Sequence, residues 1–214
     1  MPTAPPPATS IAPPAVSPDL PARERILWTA CALFYRDGVR ATGIDRVIAE
    51  AGVTKVTFYR HFPSKNDLVL AFLADRHTRW MAWFDAALQR HGNTPAALVP
   101  ALAEWLEDAD FRGCAFLNTS AELGGSLAEV NALTRQHKDD VARRIAGLLA
   151  PAAARGKPAT PSRAALARML CIALDGTVTH ALFGTPPRQA LAGLAQAVAL
   201  LPATPRSRQP AAAA

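Results

Sequence analysis

Cysteine is nearly missing from this chain. Three occur, at Cys31, Cys114 and Cys171, far apart and inside apolar helical patterns. An odd, dispersed set excludes a disulfide framework and fits reduced thiols in a cytoplasm. No cysteine pair has zinc-ligand spacing, and the five histidines (His61, His77, His91, His137 and His180) are scattered. Nothing in that spacing favours a metal, even at Glu122, His137 and His180 taken together. Alternating strand patterns are almost absent, which leaves helices. No run of about 18 apolar residues suggests a membrane span. No charged stretch followed by an apolar run opens the chain, so no signal peptide is expected. A nucleophile elbow, a zinc-protease helix, a phosphate loop and a dinucleotide fingerprint are all missing. An enzyme or a bound cofactor is therefore not expected; a soluble, cytoplasmic, non-membrane protein is.

What is present is apolar and basic. Half of the 214 residues are hydrophobic, enough for one or two packed domains. The formal charge is +6, and residues 20 to 66 carry eight Lys or Arg against four Asp or Glu. The positive excess thus gathers near the front of the chain, as a polyanionic partner would require. Residues 1–18 hold seven prolines among Ala, Ser and Thr, so residues 1–19 are expected as a disordered tail, as are residues 203–214. Between the tails the periodicity predicts helices over about 22–36, 44–51, 54–61, 64–90, 94–109, 114–122, 126–150, 162–183 and 187–201.

The segment Thr42–Lys65, TGIDRVIAEAGVTKVTFYRHFPSK, carries the chemistry. It reads as two short helices around a tight turn at Gly52, followed by a further helix start. Thr42 or Gly43 would cap the first helix. In the second, Phe58 faces inward while Lys55 and Tyr59, and Val56 and Arg60, share outward faces at a spacing of four. Lys55 and Arg60 can donate to guanine or phosphate, and Thr54 and Thr57 to phosphate. Val56 suits a thymine methyl; Tyr59 and His61 suit phosphate. Lys65 opens the next helix, where free backbone N–H groups already favour an anion. Ser64 and Asp67 form a capping-box variant there. The expected DNA-facing set is Thr42, Gly43, Thr54, Lys55, Val56, Thr57, Tyr59, Arg60, His61 and Lys65.

The run GVRATGIDRVIAEAGVTKVTFYRHFPSKNDLV resembles the N-terminal signature of TetR-type bacterial transcriptional regulators, over about residues 22–70. More loosely, DFRGCAFLNTSAEL and the later Gln136-His137-Lys138 resemble the regulatory domain of one branch of that family. The resemblance implies an all-α homodimer. Its three-helix helix-turn-helix domain (20–66) would be followed by a larger helical ligand-binding and dimerisation domain (67–202). It implies a repressor of a palindromic double-stranded operator, released by a small effector and nucleoid-associated when bound. Lys55, Tyr59, Arg60, His61 and Lys65 fall where members commonly touch DNA. Val56 stands where many members have glycine, and Gly43 where a hydroxyl residue often caps and reaches phosphate, a contact that would pass to Thr42.

In the body, the segment 162–183 is apolar nearly all round, and Leu191, Leu194, Val198 and Leu201 form a seam suited to a partner helix, so 162–201 is the expected dimer surface. Trp80, Trp83, Phe84, Trp105 and Phe116 could line a cavity for a flat apolar ligand, with Asn118, Glu122, His137 and Asp175 as orienting groups. Core packing is the plain alternative for all of them. Asp175 interrupts an apolar helix and needs a partner, for which His137 and Arg168 are candidates. Three other readings stay open: a thiol- or electrophile-sensing regulator acting through Cys114, a non-specific chromatin-like binder, and a small helical enzyme with a vestigial head.

Overall fold

A computed structural model of the chain describes residues 11–149 and 161–201. Every regular element among them is helical: α1 (Ala22–Asp37), α2 (Ile44–Glu50), α3 (Lys55–His61), α4 (Lys65–Arg90), a 3-10 turn (Pro95–Ala97), α5 (Leu98–Leu106), α6 (Ala115–Leu123), α7 (Ala128–Leu148), α8 (Arg163–Leu182) and α9 (Pro187–Ala199). The all-α expectation holds. The Gly156-Lys157-Pro158 break and the tail over 203–214 lie outside the described residues.

The head is α1–α3. Along α1, Ile26, Leu27, Ala30, Leu33 and Phe34 are buried on the single face that their spacing predicts. The helix stops at Gly38, whose φ of 91° suits a residue without a Cβ. Gly52, at φ 62°, makes the turn between α2 and α3. Phe58 of α3 is completely buried and meets the ring of Phe62 at 6.3 Å. That anchor decides which side of a seven-residue helix turns outward.

Helix α4 is the shared wall. Ser64 caps it, its hydroxyl accepting from Asp67 N–H at 3.1 Å and bonding to the Asp67 carboxylate at 2.6 Å. Its 26 residues span about 40 Å. At its start Phe72 meets Phe34 of α1 edge-on at 5.6 Å. Further along, Trp80 stacks on Phe84 at 4.7 Å and takes the edge of Trp105 from α5 at 5.7 Å. One continuous core therefore runs from the head into the body. The body is completed by α6 on α7, α7 on α8, and α8 on α9, with α5 closing against α9.

Two expectations change here. The tail predicted over 1–19 is described from residue 11, and Ile11 is buried against the body. A single large side chain with a carbonyl acceptor sufficed, although the segment's composition argued against packing. In α9, Leu191 and Leu194 face α8 and α5 of their own chain and are buried. A periodic stripe reports a partner helix without reporting whose helix it is. By length and apolar content α8 alone among the described helices could cross a membrane. It packs against α7 and α9, with a third of its most apolar stretch buried.

Phe58→Ala should cost about 3–5 kcal/mol, because the α2–α3 turn cannot close over the cavity. Urea denaturation at fixed protein concentration measures it; a loss under about 1 kcal/mol would show that Phe58 is not the head's anchor.

Candidate nucleic-acid interface

With Phe58 fixed inward, α3 turns Lys55, Val56, Tyr59 and Arg60 to solvent. Val56 is 79% exposed, an apolar side chain held in water beside two cations. Tyr59 stands edge-on to Phe58 at 5.2 Å, so its ring direction is set by the core beneath it. Lys55 lies 3.8 Å from Asp45 of α2, an exposed pair worth little and easily exchanged for a phosphate. Thr54 caps α3 by accepting from Thr57 N–H at 3.1 Å, and the two hydroxyls bond each other at 2.9 Å. Both threonines therefore hold the helix start in shape. His61 is half-buried at the end of α3. Lys65 opens α4, where burial presses its ammonium below the ordinary value while Glu122 pulls it up.

Thr42 does not join this face. It is fully buried, and its hydroxyl donates to the Gly38 carbonyl at 2.8 Å. The cap position of α2 belongs to Gly43, which makes no side-chain cap and has open space around it. Thr42 was expected to reach phosphate because a threonine before a helix commonly caps. Here the bend after α1 claims its hydroxyl first.

The head is tied to the body at both ends of α6. The Glu122 carboxylate accepts from Val39 N–H at 3.2 Å and from Arg40 N–H at 2.6 Å, in the loop that leads from α1 to α2. The fit is close: a Cβ on Gly38 would stand 3.2 Å from Glu122 Oε1. At the other end, Tyr35 Oη donates to the Gly113 carbonyl and accepts from Arg112 N–H, each at 3.0 Å. Asn118 Nδ2 donates to the Arg112 carbonyl at 2.8 Å. Glu122 and Asn118, expected in an aromatic pocket, thus line a cleft of about 270 Å³ between head and body. Glu122 was visible in the sequence as a polar residue at a helix end; only its partner was not.

The aromatic residues of the body fill space. The void bordered by Trp80, Trp105, Phe116, His137 and Asp175 measures about 10 Å³, the room of roughly one water. Trp83 and Phe84 pack behind it as core. His137 stacks on Phe116 at 3.8 Å with the rings nearly parallel, and its Nδ1 lies 3.1 Å from His77 Nδ1. One of those nitrogens must donate and the other accept. Trp80 Nε1 is buried without a hydrogen-bond partner. Asp175 pairs with Lys138 at 2.5 Å, in place of His137 or Arg168. Sequence reading missed Lys138, since a lysine one step from the apolar face of α7 reads as solvated. The same ammonium lies 3.5 Å from Sγ of Cys114, which is buried at the start of α6. The cation beside that thiol is Lys138; Arg112 spends Nη1 on the Ala109 and Phe111 carbonyls. Cys31 and Cys171 are buried thiols, Cys171 pushed up to about 11 by burial. His180 is exposed on α8.

Residues 26–72 match the family model described as bacterial regulatory proteins, tetR family. Over 49 residues the chain is 43% identical to the uncharacterized HTH-type transcriptional regulator YerO of Bacillus subtilis, a match covering 23% of this chain and 17% of that protein. Across the curated relatives it matches, the aligned stretch spans 17% to 66% of their own length. The whole fold resembles SCO4454, a TetR-family transcriptional regulator from Streptomyces coelicolor, with a TM-score of 0.69, 28% identity, and coverage of 83% of this chain and 92% of that one. A TetR transcriptional regulator from Chloroflexus aurantiacus gives the same TM-score of 0.69 and 28% identity, covering 84% and 94%.

Burial first, then the neighbouring Lys138, His77 and Arg76 charges, press His137 down to about 2. An unfolded histidine titrates near 6.5, so below that pH the unfolded chain binds the extra proton and the folded chain does not. Stability should therefore fall on acidification from pH 6.5, by up to about 1.4 kcal/mol per pH unit from this group. Urea midpoints at pH 7, 6 and 5 measure the slope. His137→Gln, which cannot titrate, should flatten it; equal slopes would show that the acid sensitivity arises elsewhere.

Proposed function

We propose that the chain is a TetR-type transcriptional regulator, a homodimeric repressor that grips a palindromic operator and releases it when a small effector enters the body. The observation that carries the reading is the outer face of α3. An exposed valine flanked by Lys55, Tyr59 and Arg60, on a helix anchored by a wholly buried phenylalanine, suits a major groove: apolar contact for a thymine methyl, cations for guanine or phosphate. Gly43, Thr54, Thr57, His61 and Lys65 would frame it with phosphate contacts and shape. The protein would work in the cytoplasm, on the nucleoid when bound, with no catalytic step.

Dimerisation is supported by what α8 and α9 leave uncovered. Ile172 is 66% exposed and Phe183 76%, with Met169, Leu182 and Leu200 on the same helices or at their ends. A surface of that kind is costly for a lone subunit and natural for a two-fold four-helix contact. Paired heads would then read half-sites about one helical turn apart. Release follows from the joints at α6. An effector that prefers a body in which α6 has moved shifts the heads by its differential affinity for the two states. A thiol-driven variant of the same release has one observation in its favour, the Lys138 ammonium 3.5 Å from Cys114 Sγ. Cys114→Ser would abolish a response to oxidants and leave a ligand response intact.

Selection of bound sequences from a random duplex pool should recover a palindrome. Lys55→Ala should weaken binding and lower the salt slope by about one. Recovery of no preferred sequence would replace this reading with that of a non-specific binder.

A further inference from the structure

Arg76 is a guanidinium buried in the body without a carboxylate. It is 3% exposed, and no acidic side chain pairs with it among the described residues. A buried arginine cannot shed its proton, so its charge must be met by something. Its face lies over the Tyr35 ring at 4.0 Å, and its Nη1 donates to the Ile11 carbonyl at 3.2 Å. Arg79 Nη1 donates to the same carbonyl. Arg79 is otherwise neutralised by Asp75, so the cluster keeps one uncompensated positive charge. Alongside lies a cavity of about 210 Å³, bordered by Trp105, Phe111 and Tyr35, by Ile11 and Pro13 of the N-terminal segment, and by Asp108 and Asp110.

We infer that Arg76 anchors a binding site for small apolar monocarboxylates, and that Ile11 occupies it as an internal stand-in. The stand-in matches in kind: a branched apolar side chain, buried, joined to an oxygen that accepts from two guanidinium groups. A peptide carbonyl supplies only a partial charge, whereas a carboxylate would supply the whole one and accept from both arginines. The guest carries one charge because Arg76 is the one cation of the cluster without a carboxylate partner among the described residues. It is small because the cavity is below the roughly 300 Å³ typical of drug-sized ligands. Its apolar part meets Trp105 and Phe111. Entry of the guest expels Ile11 and disturbs Tyr35, whose hydroxyl holds the start of α6. That last consequence, control of the head, rests on the repressor reading above; the binding itself does not.

Titration of the free protein, read by tryptophan fluorescence and calorimetry, tests the site with benzoate, 3-phenylpropionate and octanoate, each beside its primary amide. The acids should bind with at least about ten-fold preference over the amides, equivalent to about 1.4 kcal/mol. Ile11→Gly should bind the acids several-fold tighter, because a larger fraction of the protein then has the site open. Arg76→Gln should lose the preference. Since that variant can fail to fold, the acid–amide difference in the wild type and in Ile11→Gly decides the matter. Acids that bind no better than amides, or an unchanged affinity in Ile11→Gly, would overturn the proposal. No DNA is present, so failure here leaves operator recognition standing, and failure of operator recognition leaves this result standing.

Discussion

A single carboxylate ties the three-helix head of this molecule to its helical body. Glu122, at the end of α6, takes two backbone N–H groups from the loop after α1. Both lie just beyond the end of α1, and the buried Val39 N–H would otherwise lack an acceptor. Because Tyr35 holds the start of α6 in the same way, the head cannot turn on the body without breaking hydrogen bonds at one end or the other. A charged acceptor makes the stronger of the two joints. Everything upstream of that clamp is rigid, since α1 and α4 share one core.

The body behind the clamp contains two different kinds of polar strain. One is neutral. His137 and His77 share a single proton position inside an aromatic stack, and Trp80 Nε1 finds no acceptor among the described residues. The other is charged. Arg76 is met by a tyrosine face and a peptide oxygen where a carboxylate would serve better. Both sit on α4, the helix that runs on from the head, and both lie close to α6. A guest that relieves either kind of strain acts on the element that the clamp holds.

Much of this was legible in the sequence, for a definable reason. Helices of seven to 26 residues with one apolar face advertise themselves by spacing alone, and Phe58, Thr54, Ser64 and Gly52 mark the head's anchor, caps and turn by residue type. The outward placement of Lys55, Val56, Tyr59 and Arg60 followed once Phe58 was placed inside, because a helix with one face committed has the other face free. Thr42 went astray because two backbone sites competed for one hydroxyl, and local sequence does not rank them. The seam on α9 went astray because spacing states that a stripe is covered and leaves the owner of the cover open.

The chain by itself determined its helical class, the order and approximate extent of its elements and the outward chemistry of α3, all of which depend on contacts a few residues apart. Tertiary structure alone decided which distant groups meet. It set Glu122 on the α1–α2 loop, Lys138 on Asp175 and Cys114, and Ile11 on Arg76. Those pairings join residues 24 to 83 positions apart. Periodicity decays over a turn or two of helix, whereas a buried charge must be answered by whatever the fold brings beside it.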